Sequence, residues 1–352
     1  MLKLWMVVCL LGVGIVCVYG DKKNYNGDEH VLLCKVLKAA VFSYKSNSGS
    51  KDLKRALHIT IFGSEDGGDL ETLKGTLSGD YDVPNGRNRA SVCGQPHNGV
   101  SRTGKPPRWP GHSAPHDLLC LCTPGQEWWP LSIGNEMKEL CGESKGTLKA
   151  DTVEGWGTIS GPSGAVKGKE ILTATWNTVT KKCLDNDGQG GDLKDALKKF
   201  IAKLNHTKDS EHENKYRLGD GDFESYTCSG NKKVCVMYYK NTDPMKPKYP
   251  MPWWTELENA IEKDDAQEEK NKKEEEKRNK EAVQNNLKVQ NQQTSQPQQT
   301  PRVATVKPAA PEKLEERQNT QNISAPLATI EDTSRTLIIP PCSWLLSALL
   351  LI

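Results

Sequence analysis

The sequence predicts a mainly α-helical head stapled by disulfides and followed by a charged stalk. Three observations predict it. Apolar residues recur at helical spacing in several separate segments, eight cysteines fall within the same stretch, and the composition changes abruptly at Glu262.

The first helical segment runs from Glu29 to Tyr44, with Leu33, Val36, Leu37, Ala40 and Val41 on one face. Leu32, Cys34 and Ala39 widen that face, as in a helix packed on more than one side. A second helix, Lys51 to Phe62, uses Leu53, Ala56, Leu57 and Ile61. A third, near Asp69 to Leu77, opens on an aspartate that can cap free N–H groups. The segment Lys169 to Cys183 places Ile171, Leu172, Trp176 and Val179 on one face. Asp192 to Leu204 carries Leu193, Ala196, Leu197, Phe200 and Ile201, and Asp192 caps it after Gly190-Gly191. Tyr226 to Tyr239 reads as a short hairpin, because VCVMYY is strand-like. Pro252 opens a last helix reaching Ile261, at a place where proline is permitted.

Between these segments, Ser78 to Gly168 is rich in Gly, Pro, Asn and Ser. Turn formers at that density predict loops with little regular structure, which need stapling.

The two ends predict an export route. A short basic start, the apolar run Leu4 to Val18 and Val18-Tyr19-Gly20 make a secretory signal, cut after Gly20 so that the mature chain starts near Asp21. At the other end, Leu337 to Ile352 is uncharged and falls short of the ~20 residues a membrane-crossing helix needs. Small residues, a polar spacer and an apolar tail match the signal for attachment of a glycosylphosphatidylinositol (GPI) lipid. The first choice of attachment residue is Asp332, followed by Thr333 and Ser334. Ser324 is the alternative, with the better spacer length.

Eleven cysteines occur, of which Cys9, Cys17 and Cys342 lie in segments expected to be removed. Cys34, Cys93, Cys120, Cys122, Cys141, Cys183, Cys228 and Cys235 remain. An even count in an exported chain reads as disulfides, and sequence does not choose among the pairings. Cys228 and Cys235 flank a polar turn, which suits a local bridge. Cys120 and Cys122 sit too close to pair with each other, so each is expected to bridge elsewhere. Two glycosylation sequons occur, at Asn205 and Asn322.

From Glu262 to Glu281, sixteen of twenty residues are charged, nine acidic and seven basic. With almost no apolar residue to bury, this run is either a helix held by side-chain ion pairs or a disordered segment. Gln284 to Pro311 is rich in Gln, Asn, Thr and Pro, a composition of disorder. The expected organisation is signal peptide 1–20, disulfide-rich helical head 21–261, stalk 262–332 and GPI attachment signal 333–352.

No catalytic constellation assembles, and no cofactor or metal is expected. His112 and His116 have a metal-ligand spacing only on a helix, and Pro110, Gly111 and Pro115 argue for two loop histidines instead. Gly142-Glu143-Ser144-Lys145-Gly146 lacks the buried strand that a nucleophile elbow requires. Glu65-Asp66 reads as a turn, and Gly155 to Gly168 carries no phosphate-loop signal. Trp128-Trp129 and Trp253-Trp254 are read as core plugs, given the area tryptophan buries. A net charge of +2 gives no electrostatic case for nucleic acid.

Taken in order, several segments resemble the variant surface glycoproteins of African trypanosomes, in particular the B-type N-terminal domain. They are Leu33 to Ala40, Ile61-Phe62-Gly63, Arg108 to Leu118, Cys120-Leu121-Cys122-Thr123, Cys228-Ser229-Gly230, Val234 to Tyr239 and Pro252-Trp253-Trp254. The resemblance implies an elongated antiparallel helical bundle or coiled-coil core, usually a homodimer, with Ser78 to Gly168 as the exposed lobe. It implies a dense non-enzymatic coat on the outer leaflet of the plasma membrane, facing host antibodies and evading them by antigenic variation. Cys235 is the last mature cysteine, so a small cysteine-rich C-terminal domain is missing, which resembles the single-domain branch. The alternative reading is a GPI-anchored receptor on the same scaffold, binding a host macromolecule.

Overall fold

A computed structural model describes residues 23–81, 89–97, 107–132, 137–157, 168–185, 190–207, 213–224, 227–241 and 249–293, with side chains as far as 284. Residues 1–289 form one unit. Of the second, 290–352, only the end of one helix is described.

The fold is mainly helical. In chain order the elements are β1 (Lys23–Tyr25), α1 (Gly27–Ser46), α2 (Lys51–Phe62), α3 (Leu70–Gly75), α4 (Arg89–Gly94), α5 (Ala114–Cys122), β2 (Lys138–Leu140) and β3 (Glu143–Ser144). Then come α6 (Lys169–Thr175), α7 (Lys181–Leu184), α8 (Leu193–Lys203), β4 (Asn205–His206), β5 (Lys215–Asp220), β6 (Val234–Tyr239) and α9 (Trp253–Gln293). A π turn, Trp176–Thr180, joins α6 to α7 in one continuous run.

The helices start where the sequence supplies caps. Ser50 Oγ accepts from the Leu53 N–H, Asp69 from Thr72 and Asp192 from Asp195. Each satisfies one of the free donors of a first turn. Gly63 ends α2 at φ 75°, a left-handed conformation that costs glycine nothing, and its N–H bonds back to Ile59.

α1 packs against α2, α5, α7 and α8. Leu33, Val36, Leu37, Ala40 and Val41 are buried within that contact, as the periodicity predicts. α5 is the surprise. All nine of its residues are buried, and it packs on α1, α2, α4, α6 and β6. The expectation of two loop histidines is therefore corrected for His116, which lies on α5, whereas His112 does sit in the bend before the helix. Ser113 caps the helix through the His116 N–H, and Pro115 falls in the first turn, where its missing N–H would have had no helical partner. The expectation that all of Ser78 to Gly168 is an exposed lobe is corrected too. This stretch contains α4 and α5, both in the core.

Two three-stranded sheets flank the helices. In one, β2 pairs parallel to β1 and antiparallel to β3. In the other, β5 lies between β4 and β6, all antiparallel. The expected hairpin at 226–239 is half right. β6 is a strand, but its partner is β5, not the residues just before it.

α9 begins inside the core and ends outside it. Trp253, Trp254, Leu257, Ala260 and Ile261 are buried, whereas 265–284 are exposed. The charged run is therefore a solvated helix. Glu268–Lys272, Glu269–Lys273 and Glu274–Arg278 pair one turn apart, with the acid on the N-terminal side, the better orientation. Of the expected tryptophan plugs, Trp253 and Trp254 are fully buried, while Trp128 and Trp129 are only half-buried.

Candidate functional site

The eight head cysteines form four bridges: Cys34–Cys183, Cys93–Cys120, Cys122–Cys141 and Cys228–Cys235. Three of them are placed by helices. Cys34 on α1 meets Cys183 on α7, and Cys93 on α4 meets Cys120 on α5. Cys122, at the end of α5, reaches Cys141 in the turn between β2 and β3. Cys120 and Cys122 thus carry α5 in two directions, each bridging elsewhere. The local bridge closes the turn before β6.

Three polar side chains knit the same region. The Asn26 amide, at the N-cap of α1, donates to the carbonyls of Leu121 and Val234, at 2.9 and 2.8 Å. Its oxygen accepts from the Asp220 N–H at 3.1 Å. One side chain therefore ties α1 to α5, β5 and β6. Arg89 is fully buried and donates to the carbonyls of Cys120 (2.5 Å) and Thr123 (2.7 Å), at the end of α5. No carboxylate bonds to it among the described residues. The carbonyl end of a helix supplies partial negative charge instead. Burial pushes the guanidinium down to about 9, still high enough to remain charged at neutral pH. Neither residue was singled out from sequence. Asn26 stands where a capping residue is common, but its side chain makes no cap bond and its role as a tie carried no signal, nor did that of Arg89.

The third is Asp117, on α5. Its carboxylate accepts from the Gly111 N–H at 2.9 Å and from the Trp253 indole N–H at 2.7 Å. Burial pushes this carboxyl up to about 7, although the Gly111 and Trp253 bonds pull the other way. Beside it, His116 Nδ1 lies 2.6 Å from the Tyr81 hydroxyl, and Nε2 lies 2.9 Å from the Val92 carbonyl. This makes Nε2 the protonated nitrogen. Burial pushes His116 down to about 3 and His112 down to about 2, so both are neutral.

These groups do not make a catalytic centre. Ser113 is occupied as a helix cap, and every described cysteine is oxidised. His30, Cys34 and Cys183 lie close enough to share an ion, but the two sulfurs are bonded to each other. A groove of about 250 Å³ between α8 and α9 is lined by Leu197, Ile201 and Ile261 with Lys198 and Glu258, an apolar floor without a nucleophile. Gly142 to Gly146 is the turn carrying β3, and Glu65 pairs with Arg55 at 2.5 Å.

Asn205 lies on β4 and is exposed. Asn322, Ser324 and Asp332 lie outside the described residues, as does the signal segment. No helix among the described residues is long and apolar enough to cross a membrane.

The model of the trypanosomal VSG domain, type B, matches residues 37–284, from the middle of α1 to the exposed part of α9. No curated protein matches the chain. A match over more than half of the sequence, on a helical fold closed by four disulfides, shows that this chain belongs to the trypanosomal VSG domain family.

Proposed function

We propose that this chain is a GPI-anchored variant surface glycoprotein, one unit of a dense coat that keeps host antibodies from the membrane beneath. The family is one of surface-coat proteins of trypanosomes, and its match over residues 37–284 carries the reading. The mechanism is steric rather than chemical. Buried helices and bridges hold the head, while substitutions at exposed loops alter epitopes without disturbing the core.

In this reading residues 1–20 are removed on export, 21–261 form the head, 262–332 the stalk, and 333–352 are exchanged for lipid at Asp332 or Ser324. The head works as a homodimer on the outer face of the plasma membrane. Asn205 and Asn322 carry glycan. The exposure of Asn205 on a short edge strand supports the first of these.

Surface abundance and release test the proposal. The protein is expected to dominate cell-surface protein and to be freed by a phosphatidylinositol-specific phospholipase C. Mass spectrometry of the mature C-terminal peptide is expected to find a lipid remnant on Asp332 or Ser324. A peptide intact through Ile352, or a scarce surface protein that captures one host macromolecule, would overturn it.

A further inference from the structure

The segment Trp109–Asp117 fastens the start of α9 to the core by a closed circuit of three hydrogen bonds. The Trp253 backbone N–H donates to the Gly111 carbonyl at 2.9 Å. The Gly111 N–H donates to one Asp117 oxygen, and the Trp253 indole N–H to the other. Gly111 adopts φ 84°, and a side chain there would run into Pro252. Both ends of the circuit depend on this turn and the start of α5, which carry two buried histidines, His112 in the turn and His116 on the helix. His112 packs on Trp109, on His116 and against Gly63 at the end of α2. Its Nδ1 is buried without a partner among the described residues.

We propose that this turn is an acid-sensitive latch: it holds the first turns of the long helix α9 on the head near neutral pH and lets go on acidification. Asp80 and Tyr81 face the cluster from the 3-10 turn Gly79–Tyr81, His97 from just beyond α4, Arg108 from the loop before α5 and Tyr238 from β6. α2 contributes Gly63 and α9 contributes Trp253, neither of which titrates. Asp80 is the acid among them, and it is paired with Arg108 at 2.9 Å. Charging of the histidines in place is thus poorly compensated, and hydration on opening relieves it.

The sign follows from proton counts. Opened, each histidine returns toward 6.5 and Asp117 toward 3.8. Between those values opening takes up two protons at the histidines and releases one from Asp117. The net uptake of about one proton makes opening grow about tenfold for each pH unit of acidification.

Hydrogen exchange of the full-length chain tests this, with rates normalised to the intrinsic rate at each pH. Peptides covering Trp253–Ile261 are expected to lose protection about thirtyfold between pH 6.0 and 4.5. They should do so at least tenfold ahead of peptides from α1. In H112Q/H116Q the trend is expected to reverse, because only Asp117 remains to release a proton. In D117N it is expected to steepen to about a hundredfold per unit. D117N carries the test alone if the double variant does not fold. Protection that is independent of pH, a loss equal in α9 and α1 at every pH, or unchanged slopes in the variants would each overturn the latch.

Discussion

Replacing both Cys34 and Cys183 with serine removes the bridge that closes the longest loop, and the loss can be sized from the chain. The two residues are 149 apart. In the chain-entropy account, freeing a loop of that length returns about 5 kcal/mol of conformational entropy to the unfolded chain at 25 °C. The bridges Cys93–Cys120 and Cys122–Cys141 lie inside the loop, spanning 27 and 19 residues. Short-cutting through them leaves about 100 residues of free loop and still about 4.7 kcal/mol. The same arithmetic gives about 3.5 kcal/mol for Cys93–Cys120, about 3.2 for Cys122–Cys141 and about 2.4 for the seven-residue Cys228–Cys235 loop. At roughly 2–4 °C per kcal/mol for a head of this size, the first variant should lose about 10–20 °C in Tm and the last about 5–10 °C. Differential scanning calorimetry of the four paired-serine variants reads the order directly. If the Cys34/Cys183 variant melts no lower than the Cys228/Cys235 variant, loop closure is not what these bridges contribute.

Other outcomes follow from single contacts. Cys34 is the one half-buried residue among the described cysteines, the other seven being buried, so mild thiol treatment should open Cys34–Cys183 first, as read by alkylation and peptide mapping. Asn26→Ala strips partners from two buried carbonyls and one half-buried N–H, and should cost about 3 kcal/mol or more in urea unfolding. Asp192→Ala removes the cap of α8 and should cost about 1 kcal/mol. By contrast, Glu269→Ala breaks an exposed pair on α9 and should change stability by less than about 0.5 kcal/mol. His116→Gln should flatten the loss of stability on acidification. The folded imidazole is held near 3, so it opposes folding as pH falls below 6.5, where the unfolded chain binds the proton.

Much of the head was readable because periodic burial writes itself into a helix. α1, α2 and α8 lie within a few residues of their predicted spans, and Asp69 and Asp192 cap their helices as expected. The run from 169 to 184 was readable as one helix, although not its π turn. α5 was not readable by the same route. Its first turn is dense in proline, serine and histidine, which local statistics assign to loops. The buried run from Leu118 to Cys122 is apolar on every side, so it shows no period at all. β5, KYRLGD, is polar and short, and becomes a strand only by pairing with β6.

By itself the sequence determined the fold class, the eight head cysteines, the caps Asp69 and Asp192 and the charged run that α9 extends into solvent. Those are properties of composition and of spacing along one chain. Tertiary structure alone decided the three long-range cysteine pairings, that a segment full of turn formers holds the central helix, and that Asn26, Arg89 and Asp117 are its polar ties. Residues as far apart as Asn26 and Val234 interact through space, and a buried polar group is worth keeping only when the fold brings it a partner. No spacing along the chain records such a meeting.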